Sequence, residues 1–295
     1  MRLPRSSLVV PLALVGLLLL GLLLLGLFFA PRPTPAQASG LLVLHFIDVG
    51  QGDSIWVQTP GGQDILVDGG PKNGRALAYL QSRGCQDIEY MALTHPHADH
   101  VGGLVQVLDS LPVGEAWGTG EACDTQVCQE YAAGLEEQSL TAVTVRAPTQ
   151  YAIGGVALRL LHPGATLSGD SNNNSLVFRL SYGSVDVLLS GDIDSTVERV
   201  LPAQAVAAEV LKVAHHGSNY SSSADFLAAV HPEVAVISVG KNAYGHPGVD
   251  AMARLLATGA QLCRTDRQGT VTITSDGTQL KVRVERALRL PLVLR

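Results

Sequence analysis

The stretch Thr94-His95-Pro96-His97-Ala98-Asp99-His100 constrains this chain more than any other. Three imidazoles and a carboxylate crowd into six positions, after an apolar strand-like run (Ile88–Leu93) and before a helix-period run (Val101–Leu108). Neutral imidazole nitrogen and carboxylate oxygen both coordinate divalent transition metals at about 2.0–2.2 Å. In an extended approach alternate side chains share a face, so His95 and His97 point the same way. The chain then turns into the helix, where Asp99 and His100 address a second position. Gly102 and Gly103 permit a close backbone approach. The cluster therefore predicts a metal loop between a buried strand and a helix.

The rest of the sequence has the texture of one α/β domain. At 46% hydrophobic residues it is too apolar for disorder. Strand-like runs recur at Leu42–Val49, Ser54–Gln58, Asp64–Val67, Ile88–Leu93, Val156–Leu161, Leu176–Leu180, Val185–Leu189, Val210–Ala214, Val234–Val239 and Val271–Thr274. Helix-period segments lie near Arg75–Arg83, Val101–Leu108, Gln126–Glu137, Ala224–Val230 and Val249–Ala257. Strands that come first in pairs and later alternate with helices predict two sheets flanked by helices. No composition break falls between 41 and about 285, so residues 41–286 read as one domain and 287–295 as a tail.

Residues 1–30 are of another kind. Leu8–Ala30 carries no charge and, as a helix, spans roughly 35 Å against a hydrocarbon core of about 30 Å. Arg2 and Arg5 precede it, which predicts an N-terminus inside and an extracytoplasmic domain. Two readings stay open: a retained membrane anchor, or a signal peptide cleaved near Ala38 at the small-x-small triplet Ala36-Gln37-Ala38. Residues 31–40 form a Pro/Ala/Ser linker. No cysteine precedes Cys85, which excludes a bacterial lipoprotein anchor, and no second long apolar run supports a multi-span channel. In an exported chain, Cys123 and Cys128 read as a local disulfide; the even count also allows Cys85 with Cys263.

The net charge of −6 becomes −9 once the three arginines of the first 38 residues are set aside. A domain this acidic is no general nucleic-acid coat, whose affinity comes from neutralising phosphates. Any contact with a polyanion must be local.

The signature His-x-His-x-Asp-His at His95, His97, Asp99 and His100 resembles that of the metallo-β-lactamase superfamily. More narrowly, the chain is similar to the hydrolase domain of ComEC-type competence proteins from about Leu44 to Val282. The likeness rests on Asp48-Val49-Gly50-Gln51-Gly52-Asp53, Val67-Asp68-Gly69-Gly70, the histidine cluster, Asn172-Asn173-Asn174-Ser175 and Ser190-Gly191-Asp192. It continues through Leu211-Lys212-Val213-Ala214-His215-His216-Gly217-Ser218, Ile237-Ser238-Val239-Gly240, Tyr244-Gly245-His246-Pro247 and Arg264-Thr265-Asp266-Arg267-Gln268-Gly269.

The resemblance implies a four-layer αββα sandwich holding two divalent ions, zinc or manganese, at one sheet edge. It implies His95 and His97 as ligands of a first ion, Asp99 and His100 of a second, and Asp192 as the carboxylate between them. One histidine of the pair His215 and His216 is a further ligand; His215 is assigned, with His216 contacting substrate or supporting from behind. Asp48, Asp53 and Asp68 are scaffolding near the site. Where most of the superfamily has a third histidine on the first ion, this chain has Asn172 to Ser175, an oxygen-donor region that favours manganese over zinc.

Such a centre activates water, and Asp99 is placed to orient it. Asn174, His216, Ser218, Lys241, Arg264 and Arg267 are candidate substrate contacts, with Lys241 and His246 also candidates for catalysis. Cationic loops on an acidic domain suit a phosphodiester, DNA foremost, and an uptake role calls for a membrane channel as partner. Two alternatives stand beside this one: hydrolysis of a small ester, lactone or β-lactam, and a binding module without catalysis.

Overall fold

The computed structural model describes residues 40–286. The segment 1–30, the linker up to residue 39 and the tail 287–295 lie outside the described residues.

The chain opens with antiparallel strands β1 (Leu42–Phe46), β2 (Ile55–Gln58) and β3 (Asp64–Val67). It then alternates through α1 (Arg75–Ser82), β4 (Ile88–Ala92), α2 (Ala98–Leu108), β5 (Val113–Gly118), α3 (Gln126–Glu137) and a short β6 (Val143–Thr144). The plan repeats. Antiparallel β7 (Thr149–Ile153), β8 (Val156–His162), β9 (Val177–Tyr182) and β10 (Val185–Leu189) come first. Then follow α4 (Ser195–Glu198), α5 (Ala203–Val206), β11 (Val210–Lys212), α6 (Ala224–Val230), β12 (Val234–Ile237), α7 (Val249–Ala257), β13 (Gln261–Arg264) and α8 (Thr265–Gln268). A last hairpin, β14 (Val271–Ser275) and β15 (Leu280–Val284), returns to the first sheet.

The sheet orders are β15-β14-β1-β2-β3-β4-β5-β6 and β13-β12-β11-β10-β9-β8-β7. Each sheet is antiparallel on one side and parallel on the other, because hairpins build one half and helical crossovers the other.

Three apolar clusters make four layers of these elements. Between the sheets, Leu44, Phe46, Val57, Phe178, Val187 and Val236 interdigitate. On the outer face of the first sheet, Leu66 and Met91 meet Leu80 of α1, Leu104 of α2 and Leu135 of α3. On the outer face of the second, Leu188, Leu211 and Ile237 meet Phe226 of α6 and Leu255 of α7. Strands buried on both faces read as largely apolar runs, which is why β10, β11 and β12 stand out in the sequence despite Asp186 and Lys212. The result is the αββα sandwich expected.

Packing of α2 onto the β3 turn fixes the metal loop. A Cβ at Gly103 would fall on the carbonyl oxygen of Gly69, and one at Gly69 on the backbone of α2. Gly103 N–H instead donates to Gly70 O at 2.8 Å. Two backbones in direct contact leave the loop ahead of α2 little freedom.

Candidate metal centre

The centre gathers where strands end. Asp68 follows β3, the 95–100 loop follows β4, Asp192 follows β10 and His216 follows β11. Asp68, with φ 58°, turns its carboxylate into the metal loop. Its Oδ1 accepts from Thr94 N–H at 2.8 Å and its Oδ2 from the Thr94 hydroxyl at 2.7 Å. His100 Nδ1 donates to the same Oδ2 at 2.8 Å.

Because Thr94 has given its proton to Asp68, its oxygen accepts from His95 Nδ1 at 3.1 Å. His216 Nδ1 likewise donates to Ser238 O at 2.9 Å. All of the buried rings His95, His100 and His216 thus spend Nδ1 outward and turn Nε2 inward, as a metal-ligating imidazole must. This orientation is costly at His216. His215 and His216 both sit in the left-handed region, with φ 50° and 53°, which is uncommon for side chains of this size and clusters at functional sites.

The inward atoms converge. His100 Nε2 and His216 Nε2 each lie 3.2 Å from Asp192 Oδ2. Asp99, in the first turn of α2, places Oδ2 at 3.3 Å from His216 Nε2 and Oδ1 at 3.9 Å from His100 Nε2. His95 Nε2 meets His97 Nδ1 at 3.1 Å. Ser175 links the two sides, its Oγ accepting from Asp192 N–H at 3.0 Å and lying 3.2 Å from His95 Nδ1. Donor atoms of His95, His100 and Asp192 lie within 4.8 Å of one another, as do those of Asp99, His100 and His216.

This donor set fits divalent ions. His216 Nε2 is buried without a hydrogen-bond partner, a costly state that a cation relieves. Burial opposes charge on His100, yet Asp192 and Asp68 hold its pKa well above the ordinary imidazole value. His216 behaves alike, burial being outweighed by Asp192 and Asp53. His95 goes the other way, well below that value, through burial and the neighbouring His100. Burial works against charge on Asp99 and Asp192 as well, but the His216 and His100 rings hold both carboxyls low. Carboxylates packed this closely need positive charge, and without metal that charge comes from the Lys212 ammonium and from protons on imidazoles.

A pH prediction follows. The folded pKa values of His100 and His216 lie above the unfolded value near 6.5. The stability they contribute in metal-free protein is full below that pH and lost as pH rises through the raised values. Divalent ions replace those protons, so ion affinity climbs over the same range. Thermal melts across pH 6–9, with and without manganese, should show opposite trends.

Several expected residues are placed differently. The assignment of His215 as ligand and His216 as its neighbour is reversed in the geometry. The His215 ring is half-buried beside the cluster and stands edge-on to His246, at 5.3 Å between centroids, while the left-handed turn carries His216 inward. His97 is exposed and reaches the cluster only through His95.

Asn174 is buried but committed. Its Oδ1 accepts from Ser168 and its amide donates to Glu121 at 3.1 Å, so it ties loops together. Ser218 accepts from Tyr220 N–H within its own turn. Arg264 is clamped by both oxygens of Asp266, at 3.0 and 2.8 Å. Asp48 lies outside the cluster, paired with Arg75 and Arg286. Asp194 caps the helix after β10.

Asp53 and Asp68 touch the ligand rings directly. Lys241 and Arg267 are exposed, with no ion pair among the described residues. His246 is half-buried, its loop held by Asn242, which accepts from His246 N–H and donates to its carbonyl.

Sequence reasoning missed Lys212. Fully buried, it donates to Asp53 Oδ2, to Asp192 Oδ1 at 3.3 Å and to Gly191 O at 2.8 Å. The available signal was a lysine inside the apolar run Val210–Ala214.

Cys123 and Cys128 form the expected disulfide. Both sulfurs rest against the Pro96 carbonyl, at 3.8 and 3.6 Å, between His95 and His97. Cys85 and Cys263 are buried and free, on different sides of the first sheet, so they do not pair. Replacing Cys123 and Cys128 by serine is expected to cost about 2 kcal/mol, the worth of so short a loop. It should also weaken ion binding next to His97. Thermal melts and metal titration of the double variant check both.

A buried imidazole–carboxylate centre at the strand ends of an αββα sandwich defines a class, the metallo-hydrolases. Residues 47–241 match the family described as the metallo-beta-lactamase superfamily, and the chain belongs to it. It is 28% identical over 256 residues to ComE operon protein 3 of Bacillus subtilis, covering 76% of this chain and 32% of that protein. It is 32% identical over 248 residues to competence protein ComA of Neisseria gonorrhoeae, covering 82% of this chain and 33% of that one. The chain thus matches about a third of the length of these curated relatives. Among solved structures, the metallo-beta-lactamase fold protein YhfI from Bacillus subtilis is similar in fold. Its TM-score is 0.53 at 11% identity, over 78% of this chain and 98% of that one.

Proposed function

We infer that this hydrolase is a metal-dependent phosphodiesterase that cuts nucleic acid, DNA foremost. The observation that carries the reading is exposed positive charge on loops that meet at the centre of an acidic domain. Gly240, next to Lys241, packs on the Gly50–Gln51 backbone, and Gly52 packs on the Asp99 carbonyl. Arg75, paired with Asp48, also lies over Gly50. A phosphodiester strand gains charge-assisted hydrogen bonds from such a rim; a neutral lactam or ester gains little. Relatives named for competence and recombination support the same substrate. The Cys123–Cys128 disulfide supports an oxidising, extracytoplasmic location, with residues 8–30 as anchor or signal peptide and a membrane channel as partner in uptake.

His95, His97, Asp99, His100, Asp192 and His216 would hold the ions, zinc or manganese. Once bound, two divalent ions lower the pKa of a water and stabilise charge on the attacked phosphate. Asp99, partly open to solvent, would orient the attacking water by accepting a hydrogen bond from it. Lys241 holds a phosphate oxygen. Burial and the His215 ring keep His246 below the ordinary imidazole pKa. An anionic phosphate beside it raises that pKa again, which suits proton donation to the departing oxygen.

The test is cleavage by purified protein of single- and double-stranded DNA, bis(p-nitrophenyl) phosphate and nitrocefin, with manganese, zinc or chelator. Metal-dependent cleavage of the phosphodiesters, abolished by chelator and by His97→Ala, is expected. Nitrocefin turnover without phosphodiester cleavage would overturn the reading.

A further inference from the structure

Lys212 is an ammonium enclosed in the metal centre of a hydrolase, and the roles assigned above leave it unused. Its three N–H donors meet Gly191 O, Asp192 Oδ1 and Asp53 Oδ2, so it is fully satisfied despite complete burial. Each of those contacts takes an oxygen away from metal binding. Asp192 is left with Oδ2 alone to face His100 and His216. Asp53 is left with Oδ1, at 3.5 Å from His216 Nδ1, an atom already donating to Ser238 O.

Asp53, Asp192 and His216 hold donor atoms within 4.8 Å of one another, the spacing of an ion site in its own right. Lys212 reaches both carboxylates of that group. A protonated amine cannot ligate a metal; it can only take the position of one.

We propose that Lys212 is a positioning residue whose ammonium stands in for a divalent ion between Asp53 and Asp192, so that Asp53 orients the centre and ligates nothing. The buried cation fixes which oxygen of Asp192 the ions share and limits how many ions the centre takes. It also keeps the centre from becoming an oxygen-rich site that selects hard cations over zinc. The proposal rests on ions binding at this centre and is independent of the substrate named above.

The test counts ions. The full-length protein, Lys212→Met, Asp53→Asn and the double variant Asp53→Asn/Lys212→Met are dialysed to equilibrium against manganese, alone and with competing zinc, and bound metal is measured. Methionine keeps the length of lysine without its charge. Lys212→Met should bind one more manganese per chain than the unsubstituted protein and prefer manganese over zinc at least tenfold more strongly. The double variant should return to the unsubstituted count and preference, since Asp53 can no longer ligate; a side chain important only for folding would give no such reversal. An unchanged count in Lys212→Met, or an extra ion retained in the double variant, overturns the proposal.

If Lys212→Met does not fold, Asp53→Asn and the double variant decide. An unsubstituted ion count in both supports the proposal, and loss of an ion from either shows Asp53 to be a ligand and contradicts it. An unsubstituted protein that binds no divalent ion removes the metal centre itself, and that result is separate from all of these.

Discussion

Asp192→Asn is expected to reduce hydrolysis by about a thousandfold or more, equivalent to about 4 kcal/mol of transition-state stabilisation. Asp192 faces the Nε2 atoms of both His100 and His216 as well as Lys212, whereas Asp53 meets the same rings only at Nδ1. Asparagine keeps the shape and removes the charge. The ions lose the oxygen between their donor sets, and the Asn amide turns N–H groups toward imidazole nitrogens that need an acceptor or a metal. Lys212 keeps Asp53 but loses its second anion, and breaking a buried pair costs about 3 kcal/mol or more. The variant should therefore melt lower as well as work slower. Metal content and rates on bis(p-nitrophenyl) phosphate, measured on the same preparation, check both effects; unchanged metal content and rate would remove Asp192 from the centre.

His216→Ala and His215→Ala should separate just as widely, although the residues are neighbours. His216 is buried, donates from Nδ1 to Ser238 O, and points Nε2 at Asp99 and Asp192. Its loss should lower the rate by about a thousandfold and release metal. His215 stands beside His246 at the edge of the cluster, so its loss should cost less than about tenfold, chiefly in KM. Reversed outcomes would restore His215 as the ligand.

That pair shows where the sequence stops being informative. Imidazoles on adjacent residues normally face opposite ways, and which one faces inward depends on two consecutive left-handed residues that no periodicity reveals. The 95–100 loop was legible because its donors are local, and strand-then-helix geometry fixes their direction. Asp192 was legible through the resemblance at Ser190-Gly191-Asp192, which follows directly on the largely apolar β10. Asn174 and Arg264 misled because polar type and loop position do not show that Ser168, Glu121 and Asp266 already satisfy them.

Among the elements, β5 and β15 escaped for opposite reasons. Val113–Gly118 is broken by glycines and a glutamate, and Leu280–Val284 is an edge strand with Lys281 and Arg283 turned to solvent. Strands such as β11 and β12, covered on both faces, left the clearest trace. Lys212 lies in one of those strands. A lone charge in an apolar run marked the centre's second anchor, and its meaning emerged only when Asp53 and Asp192 were found around it.

The most direct measurement is anomalous diffraction at the manganese edge from crystals grown with manganese. Anomalous peaks inside the cluster formed by His95, His97, Asp99, His100, Asp192 and His216 are the predicted result. Peaks confined to other places, or none at saturating manganese, would contradict the claim that these distant side chains converge to hold metal.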